Sequence, residues 1–185
     1  MKRYVLASSS PRRHALINLT GYPFETQAPE ADETIGDYES HSGLIMEIAG
    51  RKVEAIQDVS DEDVVLGCDT LVMVDDDILG KPKDADEVRS MLKKLRGKTH
   101  RVITGCALKH AGETKQFYEE AHVNFSFLSD DEITEYIQTE EPYGKAGGYA
   151  VQGYGARFVN SIYGDYYAVM GLPVSRVYRE LRNLE

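Results

Sequence analysis

The chain has 185 residues, 42% hydrophobic and 28% charged, the balance of a soluble globular protein long enough to bury a real core. A formal net charge of -10 argues against general nucleic-acid binding, so any anionic ligand must be met by a local cationic cluster or a bridging metal. No apolar run approaches the ~20 residues of a membrane span, and the basic start Met1-Lys2-Arg3 is followed only by Tyr4 to Ala7, too short for a signal-peptide core.

In chain order, residues 3–8 read as a strand. Pro11 at the first helical position, with Ser10 as N-cap, predicts a helix to about Leu19 that Gly21 ends. Residues 23–27 read as a second strand. Apolar positions at helical spacing (Leu44, Ile45, Ile48, Ala49, Val53, Ile56) predict a helix over 38–57. Val64 to Cys68 is a buried-type strand continuing through Leu71 to Val74, and a turn at Asp75-Asp76-Asp77 before Ile78-Leu79 suggests a hairpin.

Asp84 with Glu87 three residues on opens a helix running to Leu95. Residues 100–108 and 114–128 alternate as two long strands around Ala111-Gly112, and Ser129 with Glu132 opens a helix ending near Pro142. Seven glycines and six tyrosines crowd the stretch from Tyr143 to Gly171, and Pro173 starts a C-terminal helix. The alternation predicts a mixed α/β sheet with flanking helices, in one domain or one domain with two lobes. Cys68 and Cys106 are isolated and lack CxxC spacing, which predicts reduced thiols in a cytoplasmic protein. The five histidines show no ligand spacing, and no zinc site is expected.

The stretch LASSSPRR, residues 6–13, puts two arginines where a helix begins, at the end carrying the dipole's positive partial charge. A strand, a serine-rich turn and a helix start form a ready anion site, with Ser8 to Ser10 as hydroxyl donors and Arg12 and Arg13 as forks matching phosphate. A plain capped helix with solvated arginines fits the stretch equally well. In LGCDT, Asp69 follows an apolar strand, where a carboxylate can hold a hard cation or orient a water, or simply close a turn.

In LGKPKD, Lys81 sits on a stiff segment, either as a point charge for phosphate or as an exposed turn lysine. Glu30, Asp32 and Glu33 form an acidic loop, solvated or completing a magnesium site. In KAGGYAVQGYGARF, glycines permit close backbone approach to a ligand, Lys145 offers a cation and Gln152 an amide with donor and acceptor.

Together LASSSPRR, IAGRKVEA, GCDTLV, GKPKD, LRGKTHRVITG, KAGGYAVQG and GDYYAVMGLP resemble the Maf family of nucleoside triphosphate pyrophosphatases. The likeness runs from Tyr4 to the C-terminal helix, so the whole of 1–185 is expected to be a single Maf-like domain. The resemblance implies a two-lobed α/β fold related to inosine triphosphate pyrophosphatases, with the substrate in a cleft. It also implies hydrolysis of a nucleoside triphosphate to monophosphate and pyrophosphate with a divalent cation, Mg²⁺ or Mn²⁺.

By the same resemblance Asp69 is the proton acceptor. Ser8, Arg13, Glu33, Lys52 and Lys81 are polar positions that bind substrate, with Glu33 and Asp69 expected to hold the metal. Arg12, Thr70 and Gln152 are the positions tied to substrate choice. They match the subfamily acting on dTTP and UTP, as against a 7-methyl-GTP subfamily with tryptophan, glutamine and glutamate there. Departures are small: Cys68 and Val53 stand where alanine is frequent, and Gly148-Tyr149-Ala150 replaces Ala-Tyr-Gly. A non-enzymatic nucleotide-binding regulator and a purine-directed pyrophosphatase are the alternatives. A homodimer is compatible with the sequence.

Overall fold

The computed structural model describes residues 2–34 and 38–185; of the basic start, Met1 lies outside them. In chain order the elements are β1 (Tyr4–Ala7), α1 (Pro11–Ile17), β2 (Phe24–Gln27), α2 (His41–Glu54), β3 (Val64–Val74), β4 (Asp77–Leu79), α3 (Ala85–Leu95), β5 (Thr99–His110), β6 (Glu113–Phe125), α4 (Asp130–Ile137), β7 (Val159–Gly164), α5 (Tyr166–Met170) and α6 (Val174–Arg182). The strands hydrogen-bond in the order β2-β1-β3-β5-β6-β7, with β4 on β3. Pairing is parallel for β1 with β2 and β3, and antiparallel for β3–β4 and β6–β7. The expected mixed sheet with flanking helices is the architecture observed.

The chain divides into two compact units, one of Met1–Thr70, Thr104–Glu119 and Gly171–Glu185, the other of Leu71–Ile103 and Glu120–Met170. In the first, Val5, Ala7, Ala49, Val53, Ile56, Val65 and Ala107 pack as a core. The apolar face of α2 supplies Ala49 and Val53, Ile56 follows just beyond its end, and the strands supply the rest. In the second, Val88, Leu92 and Leu95 of α3, spaced four and three apart, join Val72, Phe125, Ile133, Tyr136, Tyr149 and Phe158.

Helix ends follow local chemistry. α2 starts at His41 rather than 38, because Ser40 is extended and its hydroxyl accepts the Gly43 N–H at 3.1 Å. It stops at Glu54 rather than 57, and four residues on Asp58 turns into the left-handed region at φ 56°. α4 carries the expected Ser129–Glu132 capping box but ends at Ile137, short of Pro142, with Glu140 left-handed at φ 61°. Ser10 occupies the N-cap of α1 without a side-chain cap bond; the hydroxyl engaged there belongs to Ser8, whose Oγ accepts the Ser10 N–H at 3.1 Å.

The glycine- and tyrosine-rich stretch holds two elements its composition does not announce. β7 shows no alternation, and α5 has only five residues. The local signal for α5 is Asp165, whose carboxylate accepts the N–H groups of Tyr167 at 2.7 Å and Ala168 at 3.1 Å.

Candidate active site

Register explains why Ser8 and Asp69 share one end of the parallel strands. β1 pairs with β3 from Tyr4 opposite Val64 to Ala7 opposite Gly67, so Ser8 and Asp69 both lie just beyond the pairing. This is the carboxyl end of the parallel strands, where open α/β sheets place ligands. Ser8 is buried; its N–H donates to the Leu6 and Gln27 carbonyls at 3.0 Å each, and its own carbonyl meets His14 Nε2 at 2.7 Å.

Lys52 arrives from α2. It shares a face with Ile45, Ile48, Ala49 and Val53, and is 5% exposed, a placement lysine rarely takes without a partner. Its Nζ lies 2.7 Å from Glu33 Oε1 and 3.2 Å from Asp69 Oδ1. Two strand glycines permit this approach. A Cβ on Gly67 of β3 would stand 2.5 Å from the Ala49 carbonyl oxygen, and one on Gly105 of β5 would stand 2.7 Å from backbone atoms of Ile45. Any larger residue at either position would push α2 off the sheet and draw Lys52 away from Asp69.

Arg13 turns inward. Its Nε donates to the Gly171 carbonyl at 2.7 Å, and one terminal nitrogen donates to Thr70 Oγ1 at 3.0 Å and pairs with Asp69 Oδ1 at 3.6 Å. Lys52 and Arg13 thus meet the same oxygen of Asp69. Thr70 is fixed from its other side by Thr104, Oγ1 to Oγ1 at 2.8 Å. Arg12, next to Arg13, is half-buried.

The acidic loop divides its work. Asp32 spends its carboxylate on the Thr34 N–H and hydroxyl, and the Thr34 hydroxyl above all holds the Asp32 carboxyl below its usual range. Arg51 clasps the same loop through the carbonyls of Asp32 and Thr34. Glu33, between them, is the residue that reaches Lys52, while Glu30 is exposed. Glu33 and Asp69, the pair expected to hold a metal, both meet the Lys52 ammonium, and both offer hard oxygen donors. Among the described residues no group of three or more His, Cys, Asp or Glu is placed to hold a metal ion. Carboxylate oxygens are donors that suit Mg²⁺ or Mn²⁺.

Lys81 and Gln152 belong to the other unit, and both are exposed. The Gly147 N–H donates to the Gly80 carbonyl at 3.0 Å, which joins the Lys81 segment to the glycine-rich one. Gly147 is left-handed at φ 72°, and a Cβ there would meet Val72 at 2.8 Å. The Lys145 ammonium donates to the Glu141 and Tyr143 carbonyls. Thr104, the Gly171 carbonyl and His14 are site-building groups that the sequence reading passed over.

Cys68 and Cys106, distant in sequence, are adjacent here: both thiols are free and buried, with sulfurs 3.1 Å apart. Burial pushes the Cys106 thiol well up.

A mixed α/β fold with cations gathered on a carboxylate at the ends of its parallel strands suits an enzyme that handles an anionic substrate. The chain belongs to the Maf family, whose model, described as "Maf-like protein", matches residues 3–184. It is 49% identical over 185 residues to a "dTTP/UTP pyrophosphatase" of Bacillus cytotoxicus, covering 100% of this chain and 97% of that one. It is 45% identical over the same length to a protein of that name from Bacillus cereus strain G9842, again covering 100% and 97%. Among solved structures it resembles the Ham1 protein of Staphylococcus aureus, with a TM-score of 0.56, 13% identity and full coverage of both chains, a likeness of fold alone. Among the described residues, no helix is long and apolar enough to cross a membrane.

Proposed function

We propose that this chain is a nucleoside triphosphate pyrophosphatase that hydrolyses dTTP and UTP to the monophosphate and pyrophosphate, clearing them from the nucleotide pool. Modified pyrimidine triphosphates sharing the imide edge are substrates of the same class. The observation that carries the reading is the Asp69 carboxylate with Lys52 at 3.2 Å and Arg13 at 3.6 Å on one oxygen. A protein that only bound nucleotides would have no need of a carboxylate set among cations at the end of parallel strands. Relatives at 45% and 49% identity carry the name dTTP/UTP pyrophosphatase.

In this reading residues 1–185 act as one Maf domain built from both compact units. Glu33 and Asp69 would hold a Mg²⁺ or Mn²⁺ ion, which would supply charge neutralisation on the triphosphate. Arg13, Lys52 and Lys81 neutralise the rest, and Ser8 adds a polar contact. Asp69 orients a water on the α-phosphorus and accepts its proton. A new oxygen–phosphorus bond forms, the α–β bridging bond breaks, and pyrophosphate leaves with the bond's electron pair. Chemistry of this kind asks mainly for positioning and charge stabilisation, which these residues supply.

Arg12, Thr70 and Gln152 set the choice of base. Uracil and thymine present an acceptor, a donor and an acceptor, and one primary amide can pair with N3–H and a neighbouring carbonyl together. The net charge of -10 and the free thiols support a cytoplasmic enzyme without a nucleic-acid partner, and a homodimer is compatible with this reading.

The test is pyrophosphate release from a panel of dTTP, UTP, CTP, dATP, GTP and 7-methyl-GTP, with Mg²⁺ and with EDTA. Turnover of dTTP and UTP that EDTA abolishes and Mg²⁺ or Mn²⁺ restores is expected. Binding without pyrophosphate release would replace the enzyme with a nucleotide-binding regulator, and a preference for GTP would replace the pyrimidine reading with a purine one.

A further inference from the structure

We infer that Glu141, acting with Tyr136, is the positioning residue that holds the Gln152 segment in shape for base selection; this rests on the assignment of Gln152 to base choice. The Glu141 carboxylate takes three donors. Its Oε1 accepts the Tyr136 hydroxyl at 2.8 Å and the Gly155 N–H at 2.9 Å, and its Oε2 accepts the Tyr154 N–H at 2.8 Å. Tyr136, fully buried on α4, passes the tether on: its oxygen accepts the Ala150 N–H at 3.2 Å.

The segment is therefore pinned at Ala150 on one side and at Tyr154 and Gly155 on the other, with Val151, Gln152 and Gly153 spanning the gap. Gly153 is left-handed at φ 113°, and any Cβ there would run into the Glu141 carboxylate. A Cβ on Gly155 would stand 2.9 Å from the Tyr136 hydroxyl. These two glycines give the backbone room to close on the carboxylate.

The arrangement is more than a loop needs to stay folded. Gln152 is exposed, and an exposed amide on a glycine-flanked segment samples many orientations. Reading an imide edge through two hydrogen bonds requires a fixed direction, which a charged acceptor and a buried hydroxyl supply from the scaffold side. Neither Glu141 nor Tyr136 needs to touch the nucleotide. Their effect passes through the backbone to Gln152.

The test uses Glu141→Gln, Glu141→Asp and Tyr136→Phe in the full chain, with kcat and KM measured for UTP, dTTP and CTP, alone and combined with Gln152→Ala. Glu141→Gln puts an amide donor against a backbone N–H, and Tyr136→Phe removes the hydroxyl while keeping the buried ring. Each is expected to raise KM for UTP and dTTP about tenfold with kcat within about twofold, lowering the preference for UTP over CTP by a similar factor. Glu141→Asp keeps the charge and should recover part of the preference. In the Gln152→Ala background, Glu141→Gln should change the preference no further.

A fall in kcat for all three nucleotides with the preference intact would mean the tether is only structural, and so would full additivity with Gln152→Ala. If Gln152→Ala itself leaves the preference unchanged, the assignment of Gln152 fails, and the inference fails with it. If Glu141→Gln does not fold, Tyr136→Phe carries the same comparison, supported by faster exchange of the Ala150, Tyr154 and Gly155 amide protons.

Discussion

Lys52 carries its ammonium from the buried face of α2 to within 3.2 Å of the Asp69 carboxylate, while the same nitrogen holds Glu33 at 2.7 Å. One buried cation thus sets the distance between two carboxylates that sequence places 36 residues apart (33 to 69). Lys52→Met keeps the stem's volume and removes the charge. Activity is expected to fall about 100-fold, the scale of losing one preorganised electrostatic contact. A double-mutant cycle of Lys52→Met with Asp69→Asn, read by thermal unfolding, should give a coupling on the order of 1 kcal/mol. A coupling near zero would make the pair an incidental neighbour.

Arg13 is tied to the protein itself through Gly171, Thr70 and Asp69. Arg13→Ala leaves the Gly171 carbonyl without its donor and frees Thr70 and Asp69 on one side. Stability should drop by about 1–3 kcal/mol, the cost of orphaning a buried acceptor, and kcat/KM should drop on the order of 100-fold. Arg13→Lys cannot reproduce the fork and should rescue little of either. Unchanged melting with lost activity would mean that Arg13 serves the substrate alone.

Buried His100 is expected to make the second unit acid-sensitive. Its Nε2 meets the Tyr149 hydroxyl at 2.7 Å, its Nδ1 is buried without a partner among the described residues, and burial lowers its pKa to about 4. With an unfolded value near 6.5, the unfolded chain binds the extra proton between roughly pH 6.5 and 4. Stability from neutral His100 is therefore complete above about pH 6.5, is lost as pH falls, and stops changing below about pH 4, a total on the order of 3 kcal/mol. Thermal unfolding from pH 7.5 to 4 should show this fall, and His100→Phe should flatten it. An equal slope in the variant would assign the acid sensitivity elsewhere.

The two thiols give a simpler count. Both cysteines are fully buried, and burial pushes the Cys106 thiol up, so a thiol reagent should titrate neither in the native protein. Both should react after denaturation. Rapid native labelling would show that this core opens readily.

The elements of regular period were legible: the amphipathic stretch of α2, the capping pair at Ser129 and Glu132, and the apolar run of β3 all stand where their spacing puts them, within a turn at the ends. The site was legible as motifs more than as geometry. LASSSPRR shows two adjacent arginines, yet only side-chain packing separates Arg13, turned onto Gly171, from Arg12 beside it. Lys52 carries no local signal at all, since a lysine at the end of a helix normally points to water. The available clue was Gly67 and Gly105, lone glycines inside long apolar strands, which mark where a helix comes close. β7 and α5 were hidden because a tyrosine- and glycine-rich stretch has no period to read.

Asp69→Asn gives the decisive measurement on the reaction. Asparagine matches the shape of the side chain and keeps a carbonyl oxygen for Lys52 and Arg13, so the fold should persist. The change removes the negative charge and the capacity to take a proton at neutral pH. General-base catalysis alone is worth roughly 10²–10⁴-fold, so kcat should fall at least that far. Binding then separates the two jobs the carboxylate can do. If Asp69 is the proton acceptor, a non-hydrolysable UTP analogue should bind with unchanged or tighter affinity, because less negative charge faces the triphosphate. If it chiefly holds the incoming Mg²⁺, affinity should weaken with Mg²⁺ present and stay the same without it. Calorimetry under both conditions reads the difference, and a folded variant turning over within about tenfold of the parent would take Asp69 out of the chemical step.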